Sequence, residues 1–156
     1  MAIALTLKDY LTHQGVEYEV IPHHRTLCSS ETAQAAHVSG ECMAKSVVLE
    51  DDRGYVLAVL PATHRVRLGV LKERLNRDLR LASERELAFL FKDCELGAIP
   101  PVGKAYGVPT VVDDSLAEKY DVYFEAGDHE ELIHVTGEAF MQVMGGAQQL
   151  HFSSHR

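Results

Sequence analysis

Two apolar runs joined by a short polar turn constrain the fold of this chain more than any other feature. Met43 to Glu50 and Tyr55 to Leu60 each have the length of a strand, and Asp51-Asp52-Arg53-Gly54 connects them. A four-residue turn allows only antiparallel pairing, so the two runs predict a β-hairpin. The first run contains Ser46-Val47-Val48-Leu49, which is typical of a buried strand, and Lys45 stands at its start.

Further apolar patterns predict short elements on both sides of this hairpin. Strands are expected at residues 16–21, 108–112, 122–125 and 132–135, and helices at 6–15 (capped by Thr6, stopped by Gly15), 31–37, 68–75, 83–91 and 137–144. Several connections between strands are too short for a crossover, so those pairs must be antiparallel. The expected class is α+β (mixed α/β), with a mixed, largely antiparallel β-sheet flanked by helices. One domain at 1–156 is expected, with its core at about 4–145 and a loose tail at 146–156.

The composition is that of an ordinary globular protein. The chain has 156 residues, 46% of them apolar, and no low-complexity tract, so it is long enough to bury a core without staples. Its three cysteines include no CxxC pair, which favours reduced thiols in a cytoplasmic protein. The N-terminal segment lacks a basic region and reaches Lys8-Asp9 after seven residues. Neither a signal peptide nor a membrane span is therefore expected.

The charge is acidic overall but uneven along the chain. The net charge of −8 argues against a protein that coats nucleic acid without specificity. The stretch from Arg65 to Arg80, however, holds six basic and two acidic residues, so its net charge is +4. This basic strip is either a solvated helix face or a local surface for phosphate contacts.

Three features are candidates for chemistry. Lys45 either extends from a strand end into water or is a cation at a pocket rim that holds a phosphate or a carbonyl oxygen. The segment ELGAIPPVG at residues 95–103 is a loop stiffened by two prolines between glycines, and it is either a plain turn or a ligand wall. The loop Ala126-Gly127-Asp128-His129 carries a histidine that is either a surface residue or a proton carrier or hydrogen-bond donor.

Other common site patterns are absent from the sequence. Without HExxH or CxxC spacing a zinc site has little support, and without GxSxG there is no nucleophile elbow. The phosphate-binding pattern GxxxxGK[ST] is not met, because Ala105 stands where Ser or Thr should follow Gly103-Lys104. The dinucleotide-binding pattern GxGxxG does not occur either. No metal and no cofactor are expected.

Taken in order, five segments resemble one family. A histidine-bearing loop at 23–28 precedes them, and the segments are SSETAQAAHVSG (29–40), MAKSVVL (43–49), LAVLPATHRVRLGVLKERL (57–75), GAIPPVG (97–103) and YFEAGDH (123–129). The set resembles the YbaK/EbsC family, which also occurs as the editing insertion domain of bacterial prolyl-tRNA synthetases. The resemblance covers about residues 4–145. It implies a free-standing domain with a mixed sheet flanked by helices.

The resemblance also implies an activity, the hydrolysis of wrongly charged aminoacyl-tRNA in trans. Lys45 corresponds to the family's key lysine, and Gly97-Ala98-Ile99-Pro100-Pro101 corresponds to its GxxxP loop, which helps to form the aminoacyl pocket. His129 matches the family's specificity histidine, and Gly127, two residues before it, is expected to bind the substrate. The residue after the lysine varies with the substrate, and here it is Ser46 rather than the asparagine of the alanine-clearing branch. A small amino acid on a tRNA-Pro type substrate is the family expectation.

The chemistry of an aminoacyl ester is compatible with these residues. The ester is already activated, so orientation of a water or of the ribose hydroxyl can supply much of the rate without a nucleophilic triad. Lys45 and the backbone of 97–101 would stabilise the developing oxyanion, and the pocket would read the single-stranded acceptor end of tRNA. Arg67, Lys72 and Arg74 would contact the acceptor stem. A synthetase is a second implied partner, whereas DNA and a membrane are not. Two alternatives remain: a non-catalytic module that binds tRNA or a synthetase, and hydrolysis of another small acyl ester or amide.

Overall fold

The computed structural model describes residues 3–23 and 29–156, and most of the described chain lies in short helices and strands. The helices are Leu5–Gln14 (α1), Ser29–Ala35 (α2), Leu68–Leu75 (α3), Glu84–Leu90 (α4), Asp114–Ala117 (α5) and Gly137–Met144 (α6), with a 3₁₀ turn at Gly103–Tyr106. The strands are Glu19–Pro22 (β1), Met43–Asp51 (β2), Gly54–Pro61 (β3), His64–Val66 (β4), Arg80–Leu81 (β5), Thr110–Asp113 (β6), Asp121–Glu125 (β7), Glu131–Thr136 (β8), Gln148–Leu150 (β9) and Ser153–His155 (β10).

The predicted hairpin forms the middle of the main sheet. β2 and β3 pair antiparallel from Ala44 opposite Pro61 to Asp51 opposite Gly54. The strand order is β1-β8-β7-β2-β3-β6-β9, and β5 pairs with β2 beside this path. β7 with β2, β3 with β6 and β6 with β9 are parallel pairs, and the others are antiparallel. The prediction of a mixed, largely antiparallel sheet flanked by helices is confirmed.

Each face of the sheet buries apolar side chains against helices. On one face, Leu57 and Val59 of β3 pack with Phe124 of β7, and α1 and α6 add Leu11 and Phe140 to this cluster. The opposite face carries two separate clusters. One contains Leu49, Leu60, Leu71 of α3 and Phe152, and the other contains Met43, Leu132 and Ala33 of α2. Because side chains alternate along a strand, Lys45 lies on this second face between the two clusters.

The prediction of a loose C-terminal tail is wrong. β9 extends the main sheet, and β10 pairs antiparallel with β4. Phe152 is fully buried, and its backbone N–H donates to Oδ1 of the buried Asp113 at 3.0 Å. The segment HFSSHR has no regular apolar pattern, so its pairing depends on a strand that lies more than 80 residues earlier in the chain.

Helix α1 begins differently from the prediction. Thr6 was expected to cap it, but the cap is Ala4, whose own N–H donates to the carbonyl of Ala126 at 2.9 Å. Thr6 lies within the first turn, and its N–H donates to Oδ2 of Asp93. A distant carboxylate thus satisfies the donor that a local cap would have satisfied. The predicted stop at Gly15 is confirmed, because this glycine takes the left-handed conformation.

None of the helices in the two described ranges has both the length and the apolar composition that crossing a membrane requires.

Candidate active site

Lys45 lies where the second edge of β2 changes its partner. One edge of β2 pairs with β3 along its length, whereas the other edge pairs with β7 only at Met43 and Ala44 and with β5 only at Leu49 and Glu50. Lys45 follows the last residue paired with β7. It is half-buried, and its Nζ donates to the carbonyl of Ala62 at 3.4 Å. The ammonium group is therefore held near the start of the strand.

The proline-containing loop after α4 meets β2 in the interval between β7 and β5. Ser46 Oγ donates to the carbonyl of Ile99 at 2.9 Å. Ala98, Pro100 and Pro101 are buried, whereas Gly97 is exposed. The loop predicted as a ligand wall therefore lies against the residue that directly follows Lys45.

The same loop is also attached to the segment that carries His129. The N–H of Glu95 donates to the carbonyl of Gly127 at 2.8 Å, and Nε2 of His129 donates to the carbonyl of Leu96. The structure thus brings Ser46, the loop and the His129 segment together, as the ordered motifs suggested. The roles assigned to these residues stay predictions.

A small, largely apolar cavity opens beside this loop. Its volume is about 250 Å³, and its lining residues are Ser46, Val47, Val48, Leu81, Ala82, Leu87, Gly97 and Ile99. This volume is below the range of roughly 300–1,000 Å³ that is usual for drug-sized ligands. Three of the predicted substrate-binding residues line the cavity, and Lys45 and His129 do not.

His129 is buried and has an unusual backbone. Its side chain is 3% exposed and its φ is 62°, a conformation that non-glycine residues seldom adopt. Because Nε2 faces a carbonyl, it carries the proton, and Nδ1 is the acceptor. Nδ1 has no hydrogen-bond partner within the described part of the chain. The geometry shows His129 holding the loop through Leu96, with one ring nitrogen left as an acceptor.

Two buried carboxylates accompany His129 at the turn between β7 and β8. Oδ1 of Asp128 accepts the N–H groups of Glu130 at 3.0 Å and Glu131 at 3.1 Å, which fixes the turn. Glu125, the last residue of β7, is 2% exposed. Burial raises the pKa of Glu125 to about 7, Thr32 lowers it and Asp128 raises it further.

The sequence analysis missed Glu125 as a candidate. The parallel register pairs Met43 with Tyr123 and Ala44 with Phe124, so the next residues on the two strands are Lys45 and Glu125. By alternation both side chains are on the face that α2 and α3 cover. The available signal was a charged residue ending the apolar run VYF, the same signal that identified Lys45.

Gly127, predicted to bind substrate, has a packing requirement of its own. Its φ is +104°, and a Cβ added there would lie 2.9 Å from Cβ of Ala4 and 3.4 Å from Sγ of Cys94. A side chain would therefore strain the backbone and displace the chain that enters α1.

We expect Gly127→Ala to lower the free energy of unfolding by about 1–3 kcal/mol, because of this strain and contact. Denaturant unfolding monitored by circular dichroism measures it. Gly69→Ala is the matched control, since an added Cβ on α3 meets no atom within 4 Å and alanine favours a helix. Equal stability of the Gly127 variant and the wild type would contradict the packing account.

Cys94 is not set up as a nucleophile. Burial raises the pKa of Cys94 to about 12, with the Tyr106 hydroxyl 3.2 Å from its sulfur. Cys94 therefore stays a thiol at neutral pH. Cys42 and Cys94 are both free. Cys28 and the histidine-bearing loop predicted at 23–28, apart from His23, lie outside the described residues.

The basic strip at 65–80 is partly neutralised by carboxylates. Arg77 donates from Nε to Oδ2 of Asp51 at 2.7 Å, and this pair lowers the pKa of Asp51. Arg80 pairs with Glu50 at 3.2 Å, and Lys72 pairs with Asp78 at 3.6 Å. Arg67 and Arg74 are exposed, before and on α3. Of the three predicted tRNA contacts, Lys72 therefore has a carboxylate neighbour, and all three lie away from the proline-containing loop in sequence.

Comparison with protein families shows which family this chain belongs to. Residues 22–143 match the family described as the aminoacyl-tRNA editing domain. The match includes Lys45, the proline-containing loop and the turn with Glu125 and His129. The chain belongs to this family, and the resemblance inferred from the ordered motifs is confirmed. A search among curated proteins found no match.

Solved structures with low sequence identity share the fold. A protein proposed to be a trans-editing enzyme for prolyl-tRNA synthetase has a TM-score of 0.82 at 24% identity, and the match covers 97% of this chain and 96% of that one. The hypothetical protein APE2540 has a TM-score of 0.84 at 23% identity, with 96% and 99% covered. A protein of Marinobacter aquaeolei VT8 proposed to act in signal transduction has a TM-score of 0.79 at 23% identity. The match covers 97% of this chain but only 31% of that protein.

Proposed function

We propose that this chain is an aminoacyl-tRNA deacylase that acts in trans and hydrolyses the ester of tRNA carrying the wrong amino acid. One observation carries the proposal. In a chain of the editing-domain family, the proline-containing loop is fixed on one side to Ser46, next to Lys45, and on the other side to the His129 turn. A small cavity lined by Ser46, Gly97 and Ile99 opens beside this loop, and Lys45 and the buried Glu125 directly follow the last paired residues of β2 and β7.

The chemistry that these residues can supply is sufficient for an activated ester. Lys45 would bind the ester carbonyl oxygen or the terminal phosphate, so that its charge stabilises the developing oxyanion. Glu125, when ionised, would take a proton from the attacking water. His129 would hold the loop through Leu96 and accept a hydrogen bond at Nδ1, for which the α-amino group of the substrate is a suitable donor. No covalent intermediate is needed.

The substrate that we propose is a tRNA-Pro type acceptor charged with a small amino acid. The cavity of about 250 Å³ and its apolar lining support a short side chain. Ser46 contributes a hydroxyl whose proton is donated to Ile99. Its oxygen can still accept a hydrogen bond, which would suit a substrate hydroxyl or amine. The neighbouring structure proposed to edit for prolyl-tRNA synthetase supports the choice of tRNA.

The partners in this proposal are the acceptor end of mischarged tRNA and a synthetase that releases it, in the cytoplasm. Arg67 and Arg74, with Lys72 beside them, would contact the phosphates of the acceptor stem. The acidic remainder of the chain, net −8 overall, would keep general affinity for RNA low.

We expect the double change Arg67→Glu/Arg74→Glu to weaken tRNA binding and to reduce the slope of log K against log salt by about 1–2, since each lost phosphate contact removes roughly one unit. Filter binding or fluorescence anisotropy at several salt concentrations measures it. Lys8→Glu/Lys92→Glu is the control, with the same change of charge on an exposed residue of α1 and an exposed residue just after α4. An unchanged salt slope in the Arg67→Glu/Arg74→Glu variant would exclude the basic strip from the tRNA-binding surface.

The proposed function is tested with a panel of tRNAs charged with non-cognate small amino acids. Ester loss is followed with purified protein, after subtraction of spontaneous hydrolysis. Faster loss for one or a few pairs supports the deacylase. Binding of tRNA without ester loss from any pair would favour a non-catalytic tRNA- or synthetase-binding module, and hydrolysis of free aminoacyl esters with no preference for tRNA would favour a general acyl hydrolase.

A further inference from the structure

Three side chains of types that commonly bind metals, from distant segments, meet where the last strand, β10, pairs with β4. Glu41 precedes β2, His64 begins β4 and His155 ends β10. Each offers one ligand atom, and these atoms lie within 4.8 Å of one another. His64 and His155 are directly opposite each other in the β4–β10 ladder, and their ring centroids are 4.2 Å apart.

The geometry of His64 indicates that its outer nitrogen is available. The residue is 7% exposed, and Nδ1 lies 2.8 Å from Oγ of Ser153. When Nδ1–H donates to that hydroxyl, Nε2 carries a lone pair. Nε2 is buried and, within residues 3–23 and 29–156, makes no hydrogen bond, although it lies 3.3 Å from Oε2 of Glu41. A buried, unsatisfied imidazole nitrogen that points at a carboxylate needs a further explanation.

The second histidine converges on the same carboxylate. Nε2 of His155 bonds to Oε1 of Glu41, so two imidazole nitrogens face the two oxygens of one side chain. Two histidines and one glutamate form the ligand set of several zinc sites, with ligand bonds of about 2.0–2.2 Å. Such bonds in a tetrahedral arrangement place ligand atoms roughly 3.3–3.5 Å apart, so small side-chain rotations would complete the site. The hydroxyl of Ser153 would act as the outer partner that orients a metal-bound histidine.

We infer that Glu41, His64 and His155 form a binding site for a divalent transition-metal ion such as Zn²⁺. The site is distinct from the proposed hydrolytic centre, and nothing in the deacylase chemistry requires it. Its expected effect is structural, because it joins β10 to β4 and to the segment before β2. It also lies close in sequence to Ala62, whose carbonyl accepts the hydrogen bond from Lys45. An occupied site would therefore stiffen the chain that positions Lys45.

The test is a zinc titration of the full chain after treatment with a chelator and buffer exchange. Isothermal titration calorimetry should give one Zn²⁺ per chain with micromolar or tighter affinity, and thermal unfolding should shift upward with zinc concentration. His155→Ala and Glu41→Gln should each weaken binding at least tenfold. His155 is 68% exposed at its side chain, so its replacement should not unfold the protein. Co²⁺ substituted for zinc gives a spectroscopic check of nitrogen and oxygen ligation.

Two histidine variants serve as controls. His13→Ala removes an exposed histidine of α1 that bonds to the carbonyl of Asp9 and should leave zinc binding unchanged. His151→Ala removes the histidine of a second group, with Asp113 and Asp114, whose ligand atoms are also within 4.8 Å. No saturable binding to the wild type at 100-fold excess zinc over protein would overturn the inference. So would binding that survives in both His155→Ala and Glu41→Gln, or binding lost only in His151→Ala.

Discussion

Replacing Lys45 with alanine should lower kcat/KM for the cleared mischarged tRNA by about 10²–10³-fold, the cost that is usual for removing one oxyanion-stabilising group. Lys45 is half-buried and directly precedes Ser46, which bonds to the proline-containing loop, and no other residue of β2 carries a positive charge. If Lys45 acts on the carbonyl in the transition state, the loss should be mainly in kcat; if it holds the terminal phosphate in the ground state, it should be mainly in KM. Single-turnover hydrolysis with enzyme in excess separates the two.

The matched control for this variant is Lys104→Ala. Nζ of Lys104 donates to the carbonyl of Gly145 at 3.3 Å, much as Lys45 donates to Ala62, but it lies in the 3₁₀ turn after the loop. Its loss should leave hydrolysis within about twofold of wild type, since Lys104 is exposed and does not line the cavity beside the loop. Full activity of a folded Lys45→Ala variant would remove Lys45 from the mechanism and, with it, the present assignment of the site.

The parts of the fold that local sequence determines were predictable. The hairpin needs only two apolar runs and a turn. The capping box of α4 needs Ser83 and Glu86 three residues apart, and both of its backbone bonds are present. Helix α6 has the predicted bounds, because Thr136 caps its start and Gly145 ends it in the left-handed conformation.

The parts that depend on distant partners were not predictable in the same way. The strand β10 is polar and short, and it forms because β4 offers an edge and Asp113 binds the backbone of Phe152. Thr6 has the residue type of a cap, yet the Asp93 carboxylate takes its N–H. His64 follows Glu41 by 23 residues and His155 follows His64 by 91, so their spacing gave no metal signal.

The candidate site was predicted only in part, because local sequence shows individual residues but not which distant residues they meet. Lys45 and the proline-containing loop were visible as a charge in an apolar run and a stiff glycine-bracketed segment. That β2 and this loop lie together depends on residues far apart in the sequence. The order of the motifs suggested this proximity, and the hydrogen bond from Ser46 to Ile99 shows it. Glu125 became a candidate only when the β2–β7 register placed it next to Lys45 and burial explained its pKa.

Glu125 should set the pH dependence of hydrolysis. With its pKa raised to about 7 by burial, the carboxyl is neutral in mild acid and becomes an effective base only as pH rises through that value. We expect log(kcat/KM) plotted against pH to rise with a slope near 1 below about pH 7 and to level off above it. Glu125→Gln should remove this inflection and lower the rate at pH 8 by about 10²-fold. Ester hydrolysis between pH 5.5 and 8.5, corrected for the spontaneous rate, measures both.

The same shift makes an independent prediction for stability, which separates catalysis from folding. The pKa of Glu125 is raised from 4.5 to about 7 in the folded chain, so the native state binds more protons than the unfolded state over that interval. The stability contributed by Glu125 is therefore present below about pH 4.5 and lost as pH rises towards 7. Glu125→Gln cannot ionise, so urea unfolding should show less loss of stability than wild type between pH 5 and pH 8. A variant that is stable at pH 8 but slow identifies the carboxylate as chemically required. A variant that keeps the wild-type rate and pH inflection would assign the base to another group and leave Glu125 a buried acid with no part in the reaction.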